Sequence, residues 1–183
     1  DTYHLCSCCP PNITRLIASM DMYIYSIFEN SLVVDQYISS EFIFKDQGMK
    51  INQTSDFPHK GYSKIEIIES NNNESSIYFR IPSWDKNMQI SLNGIQTGYE
   101  VINGYAKITK IWQKGEIIDL YFDFSPRLVR SNPKVRNNIR KVCLFRGPIL
   151  YCLEENDNGK YLNKFVIDAD NSFDEVNDKI SSE

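Results

Sequence analysis

Two hydrophobic spacings divide this chain. From Pro10 to about Met20, residues Ile13, Leu16, Ile17 and Met20 fall at i, i+3, i+4 and i+7, which predicts a short helix with one apolar face. Pro10 and Pro11 suit its first turn, where their missing N–H groups would have no intrahelical partner. A helix this short is marginal alone and has to dock on something. After Asp21 the texture becomes that of strands. Met22–Phe28 and Leu32–Ile38 flank Glu29-Asn30-Ser31 as hairpin strands would, and Lys64–Glu69 and Ile77–Ile81 flank Asn71-Asn72-Asn73-Glu74. Met88–Leu92 runs into Asn93-Gly94, and Asn103-Gly104 precedes Tyr105–Thr109. Asn-Gly is the strongest short hairpin signal, because both positions accept the positive φ of a type I′ turn. Glu116–Phe122, Val142–Phe145 and Ile149–Leu153 add further strands. Many short strands with regular turn signals predict a mainly β fold, an antiparallel β-sandwich preceded by the short helix. Pro126 to Arg140, with Asn132-Pro133, reads as a linker or a long connection, and the acidic stretch from Asp168 as poorly packed.

Composition sharpens this in one direction. Aromatics make up 13% of 183 residues, with 11 Tyr and 10 Phe, and such side chains fit a pleated surface better than a helix. The formal charge of −4 argues against nucleic acid as a partner, and no apolar run is long enough to cross a bilayer. The first residue is Asp1 rather than Met, so a piece of a longer polypeptide is expected. Five cysteines cannot all pair internally, and clustered thiols left reduced favour a cytoplasmic setting.

Three of those cysteines crowd into Cys6-Ser7-Cys8-Cys9-Pro10-Pro11-Asn12. Cys8 and Cys9 precede the helix, where the dipole favours negative charge, and a thiolate is the form that attacks electrophiles or binds zinc. Zinc takes four ligands. Cys8 and Cys9 supply two, His4 or Cys6 could add another, and no second Cys-x-x-Cys pair follows downstream. A metal site, a reactive thiol and a crowded helix start therefore all stay open on spacing alone. Cys143 and Cys152 lie in apolar patterns and are expected as small buried hydrophobes; His59 reads as a loop residue. The basic run Arg127, Arg130, Lys134, Arg136, Arg140 and Lys141 is expected to be a solvated surface. Trp84 and Trp112 could stack on a sugar ring, with core packing the better expectation. Glu41, Glu66, Glu100, Glu116, Glu154 and Glu155 are scattered, so no catalytic carboxylate pair stands out. No phosphate-binding loop, dinucleotide fingerprint or nucleophile elbow is present.

Taken in order, several stretches resemble one family. They are the segment Cys6 to Ser19, Tyr23-Ile24-Tyr25-Ser26, Ile81-Pro82-Ser83-Trp84, Leu92-Asn93-Gly94, Trp112-Gln113-Lys114-Gly115-Glu116, and Arg146 to Glu154. From about Leu5 to Asp168 the chain resembles the C-terminal part of the zinc-dependent β-L-arabinofuranosidases, glycoside hydrolase family 127 and relatives. The resemblance implies an (α/α)6 catalytic barrel followed by β-sandwich domains. Residues 1–22 would be the end of that barrel and 23–183 the sandwich region, with a second, incomplete sandwich from about residue 126. It also implies Cys8 as nucleophile and zinc ligand and Cys9 as a second ligand, with Cys6 left without a role. The remaining ligands, a Glu and a Cys, and the acid/base glutamate would belong to the missing N-terminal barrel. The implied reaction is retaining hydrolysis of a terminal β-L-arabinofuranosyl residue of a plant-type glycoside, and this chain alone is expected to be inactive, with an incomplete zinc site. Two other readings compete. One is a non-catalytic β-sandwich module that binds carbohydrate, through rings such as Trp84, Trp112, Tyr99 or Tyr105, or braces a neighbouring domain. The other is a small structural zinc protein using Cys6, Cys8, Cys9 and His4.

Overall fold

A computed structural model describes residues 8–168 and Phe173. The fold is mainly β, with a short N-terminal helix, and the chain divides into two units, Asp1–Asp123 and Phe124–Glu183.

In the first unit the helix α1 spans Cys9–Ala18, and a 3-10 turn, Met20–Tyr23, leads from it into the strands. Eleven strands follow: β1 (Tyr25–Phe28), β2 (Ser31–Val34), β3 (Ser40–Phe44), β4 (Met49–Ser55), β5 (Tyr62–Glu69), β6 (Glu74–Arg80), β7 (Gln89–Leu92), β8 (Ile95–Thr97), β9 (Glu100–Ile102), β10 (Tyr105–Ile111) and β11 (Ile117–Tyr121). They form a five-stranded sheet ordered β1-β2-β6-β10-β9 and a six-stranded sheet ordered β3-β4-β5-β11-β7-β8. Every ladder is antiparallel except β2–β6, which is parallel. The expected antiparallel architecture is thus broken at one ladder. Residues 35–73 separate those two strands and hold β3, β4 and β5 of the other sheet, so β6 re-enters the first sheet in the direction of β2.

The three two-residue turns behave as their chemistry requires. Glu29 and Asn30 (φ 46° and 59°), Asn93 and Gly94 (51° and 79°), and Asn103 and Gly104 (50° and 84°) all take positive φ, and each joins two paired strands. The stretch around Asn71–Asn73 does something else. Asn72 N–H donates to Ser70 Oγ and Asn73 N–H to Asn71 Oδ1, both at 3.0 Å, while Ser70 Oγ donates to the carbonyl of Trp112. These local bonds replace a hairpin turn, and the chain crosses from β5 in one sheet to β6 in the other.

Alternation explains the core. In β5 Ser63, Ile65 and Ile67 are buried, in β6 Ile77 and Phe79, in β10 Ala106 and Ile108, and in β11 Ile118 and Leu120. One buried and one wetter face per strand is the pattern of sheets covered on one side. Trp112 is completely buried and donates Nε1–H to the Ser75 carbonyl at 3.0 Å, as expected of a core tryptophan; Trp84 is half-buried against Phe57. Strands β3 and β4 were not singled out by the hydrophobic pattern. In β4 the inward position after Met49 and Ile51 is Gln53, buried with its Nε2 donating to the carbonyls of Gln36 (3.1 Å) and Ile38 (2.7 Å). A polar residue in the core-facing series hid the strand.

The second unit holds β12 (Pro126–Arg130), β13 (Val142–Arg146) and β14 (Ile149–Tyr151), an antiparallel meander with β13 central, and a one-turn helix α2 (Glu155–Asn158). The expected linker is therefore partly a strand: Pro126 stands opposite Arg146 and Arg130 opposite Val142. Pro is tolerated at the first residue of an edge strand. The burial expected for Cys143 and Cys152 is not found, since both are exposed. No hydrophobic residue after Phe122 is fully buried among the described residues, so an apolar pattern in this unit does not translate into a closed core. The basic run from Arg127 to Lys141 is solvated except for Arg127, which donates Nη1–H to the Gly147 carbonyl at 2.7 Å and lies over the Phe145 ring. Gly147 turns β13 into β14 with φ 54°, and a Cβ built there would stand 2.6 Å from Phe124 Cζ. Gly147→Ala should therefore destabilise this unit by about 1–3 kcal/mol in urea unfolding. The loss should shrink in a Phe124→Leu background, and equal losses in both backgrounds would exclude the ring as the cause.

Candidate functional site

Cys8 sits at the N-cap of α1 and Cys9 is its first residue. Cys8 already has helical backbone angles (φ −69°, ψ −37°), and its carbonyl accepts Asn12 N–H at 3.3 Å and Asn12 Nδ2–H at 2.7 Å. Asn12 thus ties the helix start down from inside the first turn. Thr14 Oγ1 and Ser19 Oγ repeat this back-bonding, at 2.9 Å each, to the carbonyls of Pro10 and Arg15. No side chain caps the N-terminus, and no acidic residue occupies the first turn. Pro10 and Pro11 carry no N–H, so the helix start presents few donors of its own, and what favours negative charge there is the dipole.

Both cysteines are exposed thiols with their Sγ atoms 3.7 Å apart. Two thiolates on one tetrahedral zinc, at roughly 2.3 Å each, stand about 3.8 Å apart. The pair therefore fits half of such a site. Among the described residues no group of three or more His, Cys, Asp and Glu side chains comes together. His4 and Cys6, the other ligands weighed from sequence, lie outside the described residues. The apolar stripe of α1 is open to solvent, with Ile13 58%, Leu16 53% and Ile17 65% exposed.

The rings considered for sugar stacking do not form one platform. Trp112 is in the core, Tyr99 is half-buried with its hydroxyl donating to the Met88 carbonyl at 2.6 Å, and Tyr105 donates to Asp35 Oδ1 at 2.7 Å. Sequence reasoning missed Asp35. Its second oxygen accepts Ser26 Oγ–H at 2.6 Å, and its carbonyl accepts Arg80 Nε–H. The available signal was a carboxylate directly after the apolar run of β2. Burial and the Asp35 carboxylate both hold the Tyr105 hydroxyl above its ordinary range, so it stays protonated.

The family model "Beta-L-arabinofuranosidase, GH127 middle domain" matches residues 31–124, just over half of the chain. The chain belongs to glycoside hydrolase family 127. The family's C-terminal domain model matches residues 126–178 of this GH127 chain. A non-reducing end β-L-arabinofuranosidase of Bifidobacterium longum subsp. longum is 33% identical over 161 residues, covering 84% of this chain and 24% of that protein. Among solved structures, a GH127 β-L-arabinofuranosidase from Geobacillus stearothermophilus T6 aligns with a TM-score of 0.81 at 36% identity, over 88% of this chain and 26% of its own. A second, described as a glycoside hydrolase, aligns at 0.83 with 28% identity, over 93% and 29% respectively. This GH127 chain spans about a quarter of the length of the relatives it matches.

Proposed function

We propose that this chain is the C-terminal part of a retaining glycosidase that removes terminal β-L-arabinofuranosyl residues from plant-type glycosides. Cys8 is its nucleophile, and Cys8 and Cys9 are two of its zinc ligands. The observation that carries this reading is the adjacent thiol pair, 3.7 Å apart at an uncapped helix start, in a GH127 chain. Zinc, when bound, supplies positive charge that keeps the thiols deprotonated. Cys8 Sγ attacks the anomeric carbon, and the C–S bond forms as the bond to the leaving oxygen breaks. A glutamate from the barrel protonates that oxygen and then takes a proton from the incoming water, which displaces the sulfur. Two displacements at one carbon restore its configuration.

The bare apolar stripe of α1 supports residues 1–22 as the end of a helical barrel, since Ile13, Leu16 and Ile17 have nothing to dock on within this chain's described residues. Residues from 23 form a β-sandwich in this reading, its two large sheets burying their alternate positions, with a second, incomplete sandwich from about residue 126. Acid/base and remaining ligands come from the barrel, so the isolated chain is inactive.

The test assays an aryl β-L-arabinofuranoside with the isolated chain and with the polypeptide that joins it to its barrel. Turnover by the joined form alone, with an NMR-detected β-configured first product, is expected. Hydrolysis by the isolated chain, or an α-configured first product, would overturn the proposal.

A further inference from the structure

On the face of the first sheet opposite its core-facing residues, one row of side chains crosses all five strands. Ser26 on β1 stands opposite Val33 on β2, Val33 beside Tyr78 on β6, Tyr78 opposite Lys107 on β10, and Lys107 opposite Glu100 on β9. Around Ser26, Val33 and Tyr78 of this row the surface sinks into a hollow of about 260 Å³. Phe28, Tyr78, Val33 and Ile102 make its apolar lining, and Ser26, Asn103 and Tyr105 its polar edge. Phe28, 55% exposed, meets Tyr78 edge-on, with ring centroids 6.4 Å apart and planes at 89°. One carboxylate orients both hydroxyls of the polar edge: Asp35 accepts Tyr105 O–H through Oδ1 and Ser26 O–H through Oδ2. Each hydroxyl oxygen keeps lone pairs for a ligand's O–H.

We propose that this hollow is a binding site for a single neutral sugar ring, separate from the thiol pair of α1. Its lining matches both surfaces of a sugar. Ring C–H groups pack on the aromatic and aliphatic wall, and the sugar's hydroxyls meet the polar edge held by Asp35. The volume is below the roughly 300–1,000 Å³ typical of sites for drug-sized ligands, which suits one ring rather than a chain of them. Asp35 bonds both hydroxyls directly, and the cations Arg80, which donates to its carbonyl, and Lys107, with Nζ 5.6 Å from the Tyr78 ring centroid, offset its charge, so an acidic sugar is given no preference over a neutral one. The Tyr105 hydroxyl, pushed up by burial and by Asp35, stays protonated and adds no negative charge. A purely apolar partner would cover the hydroxyl lone pairs without offering them a donor.

The site is tested by saturation-transfer NMR titration of this chain with methyl β-L-arabinofuranoside and with glucuronate. Saturable binding of the neutral sugar is expected, with glucuronate binding no more tightly. Phe28→Ala should weaken the neutral sugar by at least about tenfold, and Tyr105→Phe, which removes only the hydroxyl, by about fivefold, the size of one hydrogen bond. Ile95→Ala, an exposed position on β8 of the other sheet, should change nothing. Absence of saturable binding, tighter glucuronate, or unchanged affinity in both Phe28→Ala and Tyr105→Phe would sink the site. Cys8→Ala should bind the sugar normally, so failure here and failure of the glycosidase reading are told apart.

Discussion

Cys8→Ser, introduced into the polypeptide that joins this chain to its catalytic barrel, will lower arabinofuranoside hydrolysis by at least about a thousandfold, with no comparable loss of stability. The activity loss follows from the role proposed for Cys8. A nucleophile is part of every turnover, and a serine hydroxyl remains protonated at neutral pH where a thiol can be held as thiolate. Removing such a group typically costs several powers of ten in kcat, whereas losing a binding contact raises KM first. The stability half follows from where Cys8 sits. It is exposed, and its side chain does not cap α1. Exposed substitutions of this kind stay within about 0.5 kcal/mol. Cys9→Ser separates the two cysteines. It should release zinc measurably, by atomic absorption after gel filtration, yet leave more residual activity than Cys8→Ser. Activity surviving in Cys8→Ser while Cys9→Ser is dead would exchange the two roles.

Much of this architecture was legible along the chain because turns and alternation are local. Asn93-Gly94 and Asn103-Gly104 announced two hairpins, since few residues other than glycine and asparagine reach positive φ at low cost. The helix was visible from the spacing of Ile13, Leu16 and Ile17, ending within two residues of its expected limit. What escaped depended on partners distant in sequence. The parallel β2–β6 ladder joins residues more than forty positions apart, and no local signal states which sheet a strand enters. Gln53 hid β4 because its burial is satisfied by the carbonyls of Gln36 and Ile38, which only the fold brings near. Cys143 and Cys152 were misplaced for the opposite reason. Their neighbours are apolar, but Cys143 on β13 and Cys152 just after β14 are both left exposed. The site divides the same way. Cys8 and Cys9 are adjacent in sequence and so could be found there. Ser26 on β1, Asp35 just after β2 and Tyr105 on β10 come together only in the fold, and Tyr105 and Asp35 are seventy residues apart.

Trp112→Ala will remove the largest single contribution to the stability of the first unit, about 3–5 kcal/mol in urea unfolding followed by circular dichroism. Trp112 is completely buried immediately after β10, with Lys110 Nζ 5.3 Å from its ring centroid. Truncation leaves a cavity that a surrounding sheet framework can only partly close. It also takes the indole N–H from the Ser75 carbonyl, and the loss of one such hydrogen bond costs about 0.5–1.5 kcal/mol. Trp112→Phe divides these two terms. It keeps most of the apolar volume and loses the donor, so its cost should lie clearly below that of Trp112→Ala. Trp84→Ala is the control for ring size without full burial. Trp84 is half-buried, stacked on Phe57 with centroids 6.3 Å apart, and its loss should be the smallest of the three. Native domains hold only about 5–15 kcal/mol in total, so Trp112→Ala should bring this unit close to unfolding at 37 °C. If Trp84→Ala and Trp112→Ala prove equally costly, burial is not what makes Trp112 matter, and the core assigned to the two sheets is wrong at that point.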